Sequence, residues 1–175
     1  MCTVLLRLAP AQRWPLVLAA VRDEFLERAW DPPGHHWPAS AADLIGGRDR
    51  TGHGTWLAVR PTRPAVSALL NGVRLPPPDV GARPTRGGLP LTVLAGAPDL
   101  DEADLPGYDG FHLLVADADG AVIWTWDDEA LVRRDLPPGD HIIVNAGVDR
   151  ADSALVTHFA PRLAALPSPD PRPGL

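Results

Sequence analysis

Lysine is absent from this 175-residue chain, and all 16 basic residues are arginine. Schiff-base chemistry, a pyridoxal phosphate anchor and a P-loop lysine are therefore excluded. Cysteine is almost as scarce. Cys2 stands alone, which rules out an internal disulfide and any zinc site built on several thiolates. No apolar run approaches the roughly 20 residues a membrane-spanning helix needs. The stretch Leu16–Val21 is short and is followed at once by Arg22-Asp23-Glu24, unlike a signal peptide. With 22 acidic residues the net charge is −6, which argues against nucleic acid or an anionic membrane as the main partner. The expectation is a cytoplasmic protein with no membrane insertion and a small-molecule substrate or ligand.

What is present is a globular composition, 45% hydrophobic residues over a length that suits one domain. Residues 1–166 are expected to form it, with the Pro-rich stretch 167–175 as a flexible tail. The 21 prolines punctuate the chain into short apolar runs. Thr3–Ala9 and Trp14–Val21 flank a turn at Pro10–Arg13 and read as an N-terminal hairpin. Leu44–Gly46, Thr55–Val59, Ala65–Leu70, Phe111–Ala116, Ala121–Trp126 and His141–Asn145 read as further strands, and Asp117-Ala-Asp-Gly120 has the composition of a hairpin turn. Helix is expected over Arg86–Gly96, more weakly over Asp99–Leu105, and best over Ala151–Leu166. In that last segment Leu155, Phe159 and Leu163 recur every fourth residue, Asp149 or Asp152 is the candidate cap, and Pro161 should kink or split the helix. Many strands with few helices give an α+β domain of sheets covered by helices.

Cys2 is the first residue of chemical interest. Removal of Met1 would leave a cysteine whose own α-amino group, with a pKa of about 7.7–8, can serve as its base. An unpaired cysteine on a strand is more often a small hydrophobe. Arg22 and Asp23 follow the second strand of the expected hairpin, which returns them to the Cys2 end; there Arg22 could hold a thiolate or bind an anion, and Asp23 could orient the α-ammonium. The plainer reading is a charged exit from a strand. Asparagine occurs only twice, as Asn71 and Asn145, each ending a β-like run. A turn role and an oxyanion-binding role are both open to them.

In colinear order these pieces resemble the NRDE-motif family, the one that contains transport and Golgi organisation protein 2. The residues that carry the resemblance are Met-Cys-Thr at the start, Leu18-Ala-Ala-Val-Arg-Asp-Glu-Phe25, Ile45-Gly-Gly-Arg-Asp49 and Gly54-Thr-Trp-Leu-Ala-Val59. It continues through Leu70-Asn71, Thr85-Arg-Gly87, Tyr108-Asp-Gly-Phe111 and Pro138-Gly-Asp-His141 to Asn145. Val21 stands where the name-giving Asn of the motif would be. The resemblance implies an αββα sandwich of two antiparallel sheets covered by helices, as in the N-terminal nucleophile (Ntn) hydrolases. Carried over residue by residue, it implies a catalytic set of Cys2, Arg22, Asp23, Asn71 and Asn145. Arg22, Glu24, Trp56 and Arg86 are the expected ligand-binding residues. It also implies links to haem trafficking and to acyl-CoA or lipid handling, so that haem is a candidate ligand although no cofactor is required.

Other clusters read plainly. His35-His36 and His53 fit a polar loop and a Gly-rich turn better than metal or haem ligation, and no metal site is expected. Trp124 and Trp126 share one strand face and suit a core or pocket wall. Three functional readings remain: a cysteine amidohydrolase acting on a small amide, a haem or acyl-CoA binding protein using the same pocket without catalysis, and an accessory fold with no chemistry of its own.

Overall fold

A computed structural model describes residues 2–72, 83–96, 99–100 and 105–169. Its strands form two wholly antiparallel sheets. The smaller sheet contains β1 (Thr3–Leu8), β2 (Leu16–Val21), β10 (Gly139–Val144) and β11 (Gly147–Val148) in the order β11-β10-β1-β2. The larger contains β3 (Trp30–Gly34), β4 (Ile45–Asp49), β5 (Leu57–Arg60), β6 (Ala65–Asn71), β7 (Phe111–Asp117), β8 (Ala121–Trp126) and β9 (Leu131–Leu136) in sequence order.

Alternation along the strands explains how the sheets stack. Val4, Leu6 and Leu8 on β1 and Ile143 on β10 meet Val66, Ala68 and Leu70 on β6, Leu114 and Ala116 on β7, and Ile123 on β8, making the core between the sheets. The opposite face of β10 carries Ile142 and Val144, which α2 (Ala154–Ala165) covers with Val156. On the far side of the larger sheet, α1 (Leu89–Ala95) covers Phe111, Leu113, Trp124 and Trp126 with Leu89 and Val93. One helix therefore lies on each outer face of a two-sheet α+β sandwich.

The expected hairpin is present, with Thr3 opposite Val21 and Leu8 opposite Leu16. So is the turn between β7 and β8, where the Asp117 carboxylate accepts from the Asp119 and Gly120 amides. Three strands were not legible. β3 contains Pro32 and Pro33, and β9 is mostly charged or exposed; both are edge strands, where prolines and charges are tolerated because one row of backbone groups needs no partner. β11 has only two residues. β4 runs on through Gly47 and Arg48 to Asp49, beyond the expected Gly46, and β5 begins at Leu57 and not Thr55.

The helices are shorter than their sequence signals. Arg86–Gly88 forms one 3-10 turn before α1, because Pro90 suits only the first turn of an α-helix. In Asp99–Leu105, residues 101–104 lie outside the described residues, as do 170–175 of the tail. α2 starts later than expected and is capped by Ser153, whose Oγ accepts from the Val156 amide, not by an aspartate. Pro161 does not split it: the proline sits on the exposed side, where the carbonyl it leaves unpaired is open to water. The buried residue is Val156, flanked by Leu155 and Leu163, while Phe159 is 42% exposed.

Candidate functional site

The two sheets come together at the N-terminal end of β1, and there Cys2 opens onto a cavity of about 340 Å³. The strand register explains the convergence. Thr3 pairs with Val21 on one side and Val144 on the other, which sets Cys2 between Arg22 and Asn145 just past the last strand pairs. The Cys2 backbone nitrogen donates to Asn145 Oδ1 at 2.8 Å. Asn145 Nδ2 in turn donates to the Asn71 carbonyl at the end of β6, 2.6 Å away. One carboxamide thus links the nucleophile candidate on the smaller sheet to the larger sheet. Cys2, Arg22, Asp23, Asn71, Glu24, Trp56 and Arg86 all line the cavity, and Asn145 joins them through Cys2.

Arg22 is tightly held. Its guanidinium lies 4.3 Å from the centre of the Trp56 ring, and Nη2 donates to Glu24 Oε2 at 2.6 Å. Trp56 is packed edge-on by Trp30 at 5.9 Å. Gly47 permits this arrangement, because a Cβ there would meet the Trp56 ring at 2.8 Å. Asp49 sits 3.7 Å from Arg22 Nη2 and accepts from Arg28 Nε at 2.8 Å, making an alternating cluster of two guanidinium and two carboxylate groups.

Burial pushes the Asp49 carboxyl up, but the Gly52 amide, Arg28 and the Thr51 amide together hold it below the usual carboxylate range. A lowered folded-state pKa means stability that is fully present above the unfolded value of about 4 and lost as pH falls through the folded value. Asp49→Asn is accordingly expected to be less stable at neutral pH and to lose less stability between about pH 5 and 3. Denaturant melts at several pH values check this, and parallel pH dependences for the two proteins would sink it.

The opposite wall is formed by residues 83–87 and 109. Arg83 Nε pairs with Asp109 Oδ1 at 3.2 Å. Arg86 Nη1 donates to the Gly110 carbonyl at 2.6 Å, and desolvation lowers the Arg86 pKa while Asp109 partly opposes the shift. Backbone contact fixes this wall to the loop after β4: the Thr55 amide donates to the Gly87 carbonyl at 2.8 Å, and a Cβ at Gly54 would lie 2.2 Å from the Gly87 carbonyl carbon.

Sequence reasoning missed Arg28, Asp49, Arg83 and Asp109. Asp49 was visible as the end of Ile45-Gly-Gly-Arg-Asp49, an acid closing a glycine-containing run. Arg28 and Arg83 carried no local signal. The histidines singled out in loops are used otherwise: His35 Nδ1 and His36 Nε2 face the carbonyls of Ala42 and Pro32. Among the described residues no three His, Cys, Asp or Glu side chains group to hold a metal ion. No helix among them is long and apolar enough to cross a membrane.

Comparison with protein families gives one match, the family described as Transport and Golgi organisation 2, over residues 1–160. The chain belongs to this family. No individual curated protein matches it. The match spans every element from β1 into α2, so each family segment quoted from the sequence falls inside it. Those segments have distinct structural work in this member of the family. Gly54 and Gly87 make the close backbone crossing, Trp56 supports Arg22, and Asp49 braces Arg28.

Proposed function

We propose that this protein is an N-terminal-cysteine amidohydrolase of the Ntn type, acting on a small polar amide. The observation that carries the reading is the hydrogen bond from the Cys2 nitrogen to Asn145 Oδ1, with the same carboxamide tied to Asn71. Once Met1 is removed, that nitrogen is an amine. An amine that donates one N–H to Asn145 keeps its lone pair for the thiol proton.

Cys2 Sγ then bonds to the amide carbon as its proton passes to the amine, and the carbonyl oxygen becomes an oxyanion. The second Nδ2 proton of Asn145 and the Asn71 amide are the donors for it. Collapse breaks the C–N bond, and the amine returns the proton to the departing nitrogen. Water then adds to the thioester with the α-amine taking its proton, which restores the thiol and releases the acid. Asp23, in the same cavity, would orient the α-ammonium, and Arg22 would favour a charged sulfur.

The lining favours this reading over a haem or acyl-CoA carrier. Four arginines and four carboxylates surround the cavity, while Trp56, Leu69 and Pro84 supply its main apolar surface. Arg22 is already balanced by Glu24 and, at 3.7 Å, by Asp49, so it offers a propionate or phosphate little net positive charge. A polyanion or a large apolar ring gains little there; a compact polar amide replaces water bonds with similar ones.

Intact mass of protein purified from cells establishes whether Met1 is gone. The Met-free protein is then mixed with a panel of small amides. The expected result is release of amine and a transient acyl adduct on Cys2. Neither adduct nor turnover, with haemin or a long-chain acyl-CoA binding saturably instead, would replace the hydrolase with the carrier.

A further inference from the structure

The space between the sheets is apolar along β7 at Leu114 and Ala116, but the same face begins with His112, only 6% exposed. A buried imidazole is costly unless both ring nitrogens are satisfied. Nε2 lies 3.2 Å from the Asn145 backbone oxygen, which can only accept, so Nε2 carries the proton. Nδ1 lies 2.9 Å from Thr125 Oγ1 on the neighbouring strand and, in the neutral ring, accepts from that hydroxyl. Burial pushes the His112 pKa down, and the Asn145 carbonyl only partly opposes it, so the ring stays neutral at physiological pH. The ring also lies beneath the turn between β10 and β11: a Cβ at Gly147 would sit 3.9 Å from His112 Cε1.

We propose that His112 is a positioning residue, holding the Asn145 backbone from the opposite sheet so that the Asn145 carboxamide stays between the Cys2 nitrogen and Asn71. Its consequence for turnover rests on the hydrolase reading; its grip on Asn145 does not. The strand pairs of the smaller sheet stop at Val144, and beyond them this turn is tied across the interface by only two described hydrogen bonds, one through the side chain of Asn145 and one through its carbonyl. Removing the second leaves the carboxamide's own bond to Asn71 to hold the turn against the larger sheet.

The chain makes the test tractable, since Asn71, Asn145 and Gln12 are its only carboxamide side chains. In 15N-labelled protein the Asn145 Nδ2 proton bonded to the Asn71 carbonyl is expected to exchange more slowly than its geminal partner. His112→Leu should speed that exchange at least about tenfold, with the far-turn Gln12 as internal reference. His112→Gln, which retains an N–H near the position of Nε2, should stay within about threefold of the parent. Unchanged protection in His112→Leu, or no protection in the parent, overturns the proposal. Should His112→Leu fail to fold, Thr125→Val removes the hydroxyl that fixes the ring tautomer. An exchange at least about fivefold faster is then expected, and a change of less than about threefold again overturns the proposal. If the parent hydrolyses amides, His112→Leu should lower kcat about 10²-fold, the scale of a misplacement near 1 Å, with KM nearly unchanged and Gln restoring the rate. A parent without hydrolysis removes the enzyme reading, and the exchange rates still decide the role of His112.

Discussion

Replacing Cys2 with serine in Met1-free protein is expected to reduce amide hydrolysis by at least about 10³-fold while leaving the fold intact. Cys2 is only partly buried and packs at the rim of the core between the sheets, so exchanging sulfur for oxygen changes little volume. The backbone hydrogen bond from residue 2 to Asn145 uses no side-chain atom of the cysteine and survives the substitution. What disappears is the nucleophile: a serine hydroxyl releases its proton to the α-amine far less readily than a thiol. Rates on the best amide and thermal midpoints for both proteins check this. Equal hydrolysis by Cys2→Ser, or a collapsed midpoint accompanying lost activity, would remove Cys2 from the chemistry.

Both the hairpin and the convergence at Cys2 were legible because they rest on short-range signals. Two apolar runs flank a proline turn, and a six-residue register then dictates that the residue before the first strand faces the residue after the second. Asn71 and Asn145 were legible through their scarcity and their positions at strand ends. The brace behind Arg22 was not. Arg28 lies in a loop of mixed charge, and its pairing with Asp49 across 21 residues follows from how β3 and β4 set the intervening chain, which no local pattern encodes. His112 was hidden for a different reason. Within Phe111–Ala116 it occupies an inward position, and period-two alternation reads an inward histidine as an imperfection in the strand, not as a contact with a residue 33 positions away.

A second large effect is expected from Gly54→Ala. The added methyl would stand 2.2 Å from the Gly87 carbonyl carbon and 2.3 Å from its oxygen, contacts with backbone that no rotamer change relieves. Either the loop carrying Gly54 or the turn carrying Gly87 must withdraw, breaking the bond from the Thr55 amide to the Gly87 carbonyl. The cost is about 3 kcal/mol, or about 6–12 °C in Tm for a chain of this size. Because Gly54, Thr55 and Gly87 all line the cavity, activity should fall further than stability does. Gly88→Ala is the control: one residue along, a Cβ meets nothing within 4 Å, and its Tm should move by less than about 2 °C. Similar midpoints for the two variants would refute the crossing as a structural constraint.

The position of β1 bears on when the proposed removal of Met1 would occur. Thr3 needs Val144 as well as Val21, so the strand that follows Cys2 gains its second neighbour only after 141 further residues have been made. At ~5–20 residues per second, translation leaves the N-terminus without that partner for ~7–28 s. An enzyme that removes Met1 from the nascent chain would act in this interval, before Asn145 exists to hold the Cys2 nitrogen. The order of synthesis thus separates the cleavage that would create the amine from the assembly that would use it: the nascent chain exposes its start early and closes around it last.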